Sequence, residues 1–285
     1  MASLQTRLLA DGTDDSLPCS PCLTRTWDNG NLSAATDQVA DEVPVALEYN
    51  GISHAVMLAS PDCLEDFVTG FSLTEGIVST PQEIRDIQVD QGEKGITVKL
   101  EIAPACFFKL KEKRRTLAGR TGCGLCGAES LEQVYRQPAP LTTGSRFSAP
   151  LLHQAFRQLK SSQILMQHTG ATHAAGWLNP EGQLVMIRED VGRHNALDKL
   201  IGALARGGID GAGGAVLVTS RASYEMVLKS AAAGIGFLAA LSAPTSLAIR
   251  LAESAQLTLV GFVRGQRMNI YTHPERLNRT SESDS

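Results

Sequence analysis

Cys123 and Cys126 form a C-x-x-C pair in the run Arg120-Thr-Gly-Cys-Gly-Leu-Cys-Gly-Ala-Glu129. Glycines at 122, 124 and 127 weaken both helix and strand, so the run reads as a mobile, exposed loop. Lys109, Lys111, Lys113, Arg114 and Arg115 lead into it, followed by Arg120. Nearby cations stabilise a thiolate and raise its fraction at neutral pH. Mobility, exposure and positive potential suit a loop that carries a group on sulfur.

Three other readings of the pair compete. A buried structural pair sits poorly with the glycines. Half of a zinc site is suggested by a second pair, Cys19-Ser-Pro-Cys22, but a zinc ribbon separates its pairs by roughly 15–20 residues. Here 100 residues lie between Cys22 and Cys123. A thioredoxin-like redox pair needs an apolar strand before it, and what precedes this one is basic and helix-prone.

Composition narrows the class. The 285 residues are 43% apolar and 20% charged, as in ordinary globular proteins, and suffice for one large domain or two modest ones. A net charge of −4 does not recommend a nucleic-acid binder. Six cysteines in this length suit a reducing compartment better than a disulfide scaffold. The N-terminus lacks a signal-peptide pattern, and the most apolar stretch, Ala231–Ala243, is too short to span a bilayer. A cytoplasmic protein without membrane or nucleic-acid partners is expected.

Residues 1–40 are polar without a sustained period and are expected to be a flexible segment. Residues 41–140 form the next unit, α+β and ending in the thiol loop. Val43–Tyr49 and Ser53–Ala59 read as strands joined by Asn50-Gly51, a hairpin signal. A helix capped by Ser60 or Asp62 runs to about Glu75, with strands at Ile84–Val89 and Gly95–Ile102. A basic helix over 106–120 precedes the thiols, and Glu129–Arg136 reads as a short helix after them. The proline-containing stretch near 140 marks a boundary.

Residues 141–285 read in the order α-β-β-α-β-α-β-α-β. Strands alternating with helices imply parallel neighbours in a sheet covered on both faces. Ligands of such sheets bind beyond the carboxyl ends of strands, and polar residues collect there. Glu189-Asp190-Val-Gly-Arg193-His194 lies at one joint, Ser220-Arg221-Ala-Ser223-Tyr-Glu225 at the next and Ser242-Ala-Pro-Thr245 at a third. Arg264-Gly265-Gln266-Arg267 follows the last strand, and His168–His173 falls on the same rim. Helix N-termini with arginines make a receptor for phosphates. The plainer alternative is that Arg193 pairs with Glu189 or Asp190, while Ser223 and Thr245 only cap helices.

Several of these segments resemble the FdhD/NarQ family, the accessory sulfurtransferases for formate dehydrogenase. They are Glu42-Val-Pro-Val-Ala-Leu, Gly70-Phe-Ser-Leu-Thr-Glu-Gly76, the thiol run, Glu189–Lys199, Ser220–Met226 and Val260-Gly-Phe262. Thr169-Gly170-Ala171-Thr172-His173 matches the family's Thr-Gly-Gly-x-His with its second glycine replaced. The resemblance implies a cytidine-deaminase-like three-layer α/β/α C-terminal domain beside a smaller α+β N-terminal domain. It also implies a sulfur carrier that takes sulfur from a cysteine desulfurase as a persulfide. The recipient would be the bis(molybdopterin guanine dinucleotide) molybdenum or tungsten cofactor, bound as substrate on its way to formate dehydrogenase.

Carried over, Cys123 would be the carrier and Cys126 its partner. Phe262, Val263, Arg264, Gly265, Gln266 and Arg267 would belong to the cofactor site. The strand-to-helix joints, read from their own residues as a phosphate receptor, add Arg193, His194, Ser220, Arg221, Ser223 and Thr245 for its guanine nucleotide end. A zinc deaminase needs His-x-Glu or Cys-x-Glu at one helix start and Pro-Cys-x-x-Cys at the next. This chain has neither there, and no cysteine after 126, so no zinc is expected. The alternative function is a non-catalytic cofactor-binding chaperone whose cysteine pair senses redox state or holds metal. The oligomeric state is left open, with a homodimer among the options.

Overall fold

The computed structural model describes residues 17–118, 138–141 and 144–278. The chain enters through a long hairpin, β1 (Cys19–Asp28) and β2 (Asn31–Ala40), paired antiparallel along its whole length. Asn29 and Gly30 turn it, both with positive φ (47° and 94°), as a two-residue hairpin turn requires. Where the sequence suggests a flexible segment over residues 1–40, the chain is thus regular strand from Cys19 onward. The expected hairpin follows as β3 (Val43–Tyr49) and β4 (Ile52–Ala59), turned at Asn50 and Gly51.

Helix α1 (Leu64–Thr74), β5 (Ile84–Gly92), β6 (Gly95–Ile102) and α2 (Pro104–Ala118) complete this half. The four-stranded sheet runs β4-β3-β6-β5, with β3 and β6 parallel. Alternate residues Val45, Leu47 and Tyr49 of β3 and Val98, Leu100 and Ile102 of β6 face Phe67 and Val68 of α1 in one core, as the period of two in a strand dictates. One expectation fails locally. Ser60 does not cap α1; its Oγ accepts from Val191 N (3.2 Å), and Cys63 fills the cap position in a left-handed conformation.

The second half begins with β7 (Phe147–Ser148), α3 (Ala149–Ser161) and α4 (Ile164–Thr169). Then come β8 (His173–Leu178), β9 (Leu184–Asp190), α5 (Arg193–Arg206), β10 (Ala215–Val218) and α6 (Tyr224–Ala232). Strand β11 (Phe237–Ala240), α7 (Ser246–Ser254), β12 (Thr258–Arg264), β13 (Arg267–Thr272) and β14 (Leu277–Asn278) end it. Six strands form one mixed sheet, β13-β12-β11-β10-β8-β9, in which β10, β11 and β12 are parallel. Along β10, Val216 and Val218 face α5, α6 and α7, while Ala215 and Leu217 face α3. The sheet is therefore the middle of three layers. This matches the expected alternation, with α4, β7, β13 and β14 added.

The halves meet where α1 crosses α5. A Cβ built on Gly70 would overlap the Asp198 carbonyl, and one on Gly202 the Asp66 carbonyl, so the two backbones touch. Buried charges flank the crossing. Asp66 pairs with Arg188 (2.8 Å) and Arg206 (2.7 Å). Lys229 pairs with Asp198 (2.9 Å), which also accepts from Thr74 (2.8 Å). Lys199, fully buried, bridges Asp62 (2.7 Å) and Asp190 (2.8 Å).

Candidate functional site

Strand directions gather the polar joints. Strand β9 is antiparallel to β8, and β8 to β10, so β9, β10, β11 and β12 all end on one edge of the sheet. The start of β8 lies on that edge too, His173 pairing with Asp190. Helices α5, α6 and α7 begin just beyond it. Backbone bonds stitch the joints together: Ala222 N to Ala243 O (3.2 Å), Thr245 N to Ala222 O (3.1 Å) and Phe262 N to Ser242 O (3.2 Å). The result is a continuous rim.

Arg193 and His194 open α5, and Ser223 and Glu225 open α6. His194 Nε2 lies 2.7 Å from Glu225 Oε2, an ion-pair distance reached off the straight line of an N–H···O bond. The His194 imidazole holds the Glu225 carboxyl below the usual carboxylate range. Half-buried His173 is pushed below its ordinary value, first by burial and then by the Arg193 cation. Sequence reasoning placed Glu225 in the cluster without a role; its position in a helix's first turn, where acids are favoured, was the available signal.

The decisive feature is what stays unsatisfied. Arg193 Nε and Ser223 Oγ are buried and have no hydrogen-bond partner among the described residues. Buried polar groups are nearly always paired. The pairing of Arg193 with Glu189 or Asp190 does not occur, because both carboxylates are occupied. Glu189 accepts from Leu165 N, Met166 N and Thr172 Oγ1, all at 2.9 Å, at the start of α4 and the rim. Asp190 holds Lys199, Ser60 N (3.0 Å), Gly192 N (2.7 Å) and Asn195 Nδ2 (3.0 Å). Neither Gly192 nor Ser223 donates a side-chain cap, so both helix starts keep their positive ends uncapped by their own side chains.

At the far end of the rim Phe262 adopts a left-handed conformation (φ 54°) inside a β-bulge between β12 and β13, and it is 37% exposed. A bulky residue held there costs energy, and such outliers concentrate at binding sites. Gly265 and Gln266 form the turn after it, flanked by exposed Arg264 and Arg267. Arg264 Nε donates to Leu241 O (3.0 Å), which ties the end of β12 to the end of β11. Arg221 is exposed at the joint between β10 and α6. Val263 departs from expectation. Its side chain is buried in the core beside α3, because it alternates with Phe262 along the strand. Thr245 does cap α7, accepting from Ala248 N (3.3 Å), and Ser220 Oγ donates to Arg221 O (3.1 Å).

The thiol pair Cys123 and Cys126 lies outside the described residues, as does the predicted helix Glu129–Arg136. Helix α2 carries the basic run towards it, with Lys111 Nζ 5.5 Å from the Phe107 ring centroid. The other cysteines are poorly suited to sulfur chemistry. Burial, and then Asp62, push the Cys63 thiol up to about 11, and burial also raises Cys106. Cys19 and Cys22 sit on one strand three positions apart, hence on opposite faces and about 10 Å from one another. They cannot share a metal ion or a disulfide, and no group of three potential metal ligands occurs among the described residues.

Residues 40–278 match the FdhD/NarQ family. A curated relative from Cupriavidus necator, named sulfur carrier protein FdhD, is 62% identical over 251 residues, covering 88% of this chain and 87% of its own. One of the same name from Bordetella petrii is 57% identical over 250 residues, covering 87% and 90%. A crystal structure from Desulfotalea psychrophila, described as a formate dehydrogenase accessory protein, superposes with a TM-score of 0.74. It is 27% identical and covers 91% of this chain and 99% of its own.

Proposed function

The chain belongs to the FdhD/NarQ family, and on that premise we propose that it carries sulfur on Cys123 to a guanylylated molybdenum or tungsten cofactor destined for formate dehydrogenase. The relatives' names support a sulfur carrier serving that enzyme. The Cys123 thiolate attacks the sulfane sulfur of a cysteine desulfurase persulfide; a new S–S bond forms, and the donor leaves as its thiolate. Cys126 then attacks Cys123 Sγ, closing a disulfide and expelling hydrosulfide towards the metal. A dithiol reductant resets the pair.

The cofactor is the substrate here, and the rim is its proposed seat. One observation carries this: the buried Arg193 Nε and Ser223 Oγ, without a hydrogen-bond partner among the described residues, at the starts of neighbouring helices. A diphosphate supplies the acceptors both lack, and uncapped helix starts favour its charge. Exposed Phe262 offers a ring against which a pterin or guanine can stack, and Arg221 and Arg267 flank the path. The three-layer arrangement is also the one a cytidine-deaminase-like fold requires. No helix among the described residues is long and apolar enough to cross a membrane.

Mass spectrometry after incubation with a cysteine desulfurase and cysteine tests the carrier. Cys123 should gain a labile adduct of about 32 Da, one sulfur atom, and Cys123→Ala should lose formate dehydrogenase activation. Full activation by that variant would sink the assignment and favour a cofactor chaperone. Calorimetry with GDP tests the seat. Arg221→Ala or Arg267→Ala should weaken binding at least about tenfold while leaving the adduct on Cys123 intact. GDP binding indifferent to both would place the cofactor elsewhere.

A further inference from the structure

Glu225 differs from the other carboxylates of the rim. The two acids that precede α5 are saturated. Glu189 accepts from Leu165 N, Met166 N and Thr172 Oγ1, and Asp190 from Lys199 Nζ, Ser60 N, Gly192 N and Asn195 Nδ2. Glu225 has one close contact among the described residues, His194 Nε2 at 2.7 Å. That contact lies off the straight line of an N–H···O bond, so Nε2 has no hydrogen-bond partner among the described residues. The Glu225 side chain is 38% exposed, which leaves it room to turn away. It is charged at neutral pH, because the His194 imidazole, then Lys229 and Arg193, hold its carboxyl below the usual carboxylate range against the opposing effect of burial.

We infer that Glu225 is a built-in competitor for the phosphate receptor of the rim, lying against His194 until a diphosphate enters and displaces it. This rests on the rim being the seat of the guanylylated cofactor. Position supports it: Arg193 and His194 open α5, Glu225 lies in the first turn of α6 two residues after Ser223, and both helix starts favour an anion. A carboxylate there repels incoming phosphates, yet it ties no other element down as Glu189 and Asp190 do. What it does supply is a negative charge between two positive helix ends and the Arg193 cation. A phosphate supplies the same charge with more oxygens. Once Glu225 turns outward, His194 Nε2 joins Arg193 Nε and Ser223 Oγ, so that three buried polar atoms without hydrogen-bond partners among the described residues converge on the ligand. The competition lowers affinity, and a carrier that must pass its ligand to another protein has to let it go.

Calorimetry with GDP on the full chain, wild type against Glu225→Gln, tests it. Glutamine keeps the size of the side chain and removes its charge. The variant should bind GDP about tenfold more tightly, a change that two like charges about 10 Å apart suffice to cause at the effective dielectric of about 20 near a protein surface. An unchanged or weakened affinity overturns the inference, the weakened case making Glu225 a positioning residue for His194. Seat and competitor fail separately. GDP binding that Arg193→Ala weakens but Glu225→Gln does not strengthen keeps the seat and removes the competitor; no GDP binding by either protein removes both. The wild type alone gives a second answer. In its crystal structure with GDP, Glu225 should have left His194, and a pair still 2.7 Å apart beside the bound phosphates overturns the proposal even if the variant misfolds.

Discussion

Within seven residues of α5 the chain serves two regions built on opposite principles. Asn195, Asp198 and Lys199 face the seam between the halves, where every charge has a partner: Lys199 with Asp62 and Asp190, Lys229 with Asp198, Asn195 with Asp190 and the Leu58 carbonyl. Arg193, one turn earlier, faces the rim with its Nε unpaired. A motif that reads as one functional unit therefore divides. Its later part holds the molecule together, and its first residues wait for a ligand. Among buried polar atoms, those with partners hold the seam, and those without mark the rim.

The seam should be the more fragile region. Gly202→Ala places a methyl group on the Asp66 carbonyl oxygen, and neither backbone can yield without parting α1 from α5. Overpacking ordinarily costs about 1–3 kcal/mol; a clash between two backbones should exceed that and can prevent folding altogether. Chemical denaturation of Gly202→Ala checks this, and a loss below 1 kcal/mol, roughly the cost of an ordinary mutation, would show that the crossing is looser than the geometry says.

Next in size is Lys199→Met, which leaves Asp190 buried without its cation and should cost about 3–5 kcal/mol. The charge has a pH signature. Burial alone would lower the Lys199 pKa, but Asp62 and Asp190 outweigh it and raise it above the ordinary value. A raised lysine pKa adds stability below the unfolded value, about 10.4, which is lost as pH rises through the folded value. Wild-type stability should thus hold through neutral pH and fall on the alkaline side, and that part of the alkaline fall should be missing in Lys199→Met. A titration of stability from neutral pH to the alkaline limit makes the comparison.

How much of this was legible beforehand follows from the range of each signal. Asn50-Gly51 announced its hairpin because strongly apolar strands flank it; Asn29-Gly30 is the same signal, but serines and threonines around it hid the period. Local alternation likewise gave the three-layer half and its polar joints. Ser60 and Asp62 look locally like caps, but the Ser60 hydroxyl is taken by Val191 and the Asp62 carboxylate by Lys199, both far along the chain. The same long range concealed the division within α5. That Arg193 is unpaired follows from Glu189 and Asp190 being occupied by α4, Ser60 and Lys199, and spacing cannot show that. Helix α4, six residues long, is too short to carry a period.

The rim should respond in the opposite sense, with small effects on stability and large ones on binding. Ser223 Oγ makes no hydrogen bond to the described residues although it occupies a cap position, so Ser223→Ala removes a buried hydroxyl that has no partner there. An ordinary cap replaced by alanine costs about 1 kcal/mol; here the change should stay within about 0.5 kcal/mol of zero and can be favourable, because desolvation of the hydroxyl has no compensating partner. Arg193→Ala should also leave the seam intact, since no seam residue pairs with its Nε. Each should nevertheless weaken GDP, Arg193→Ala by at least about tenfold, the value of one charge-assisted contact. Stability and affinity measured on the same two variants settle the contrast: a loss of stability near 2 kcal/mol, the cost of a strong cap, with unchanged GDP affinity would make Ser223 and Arg193 structural and erase the distinction between seam and rim.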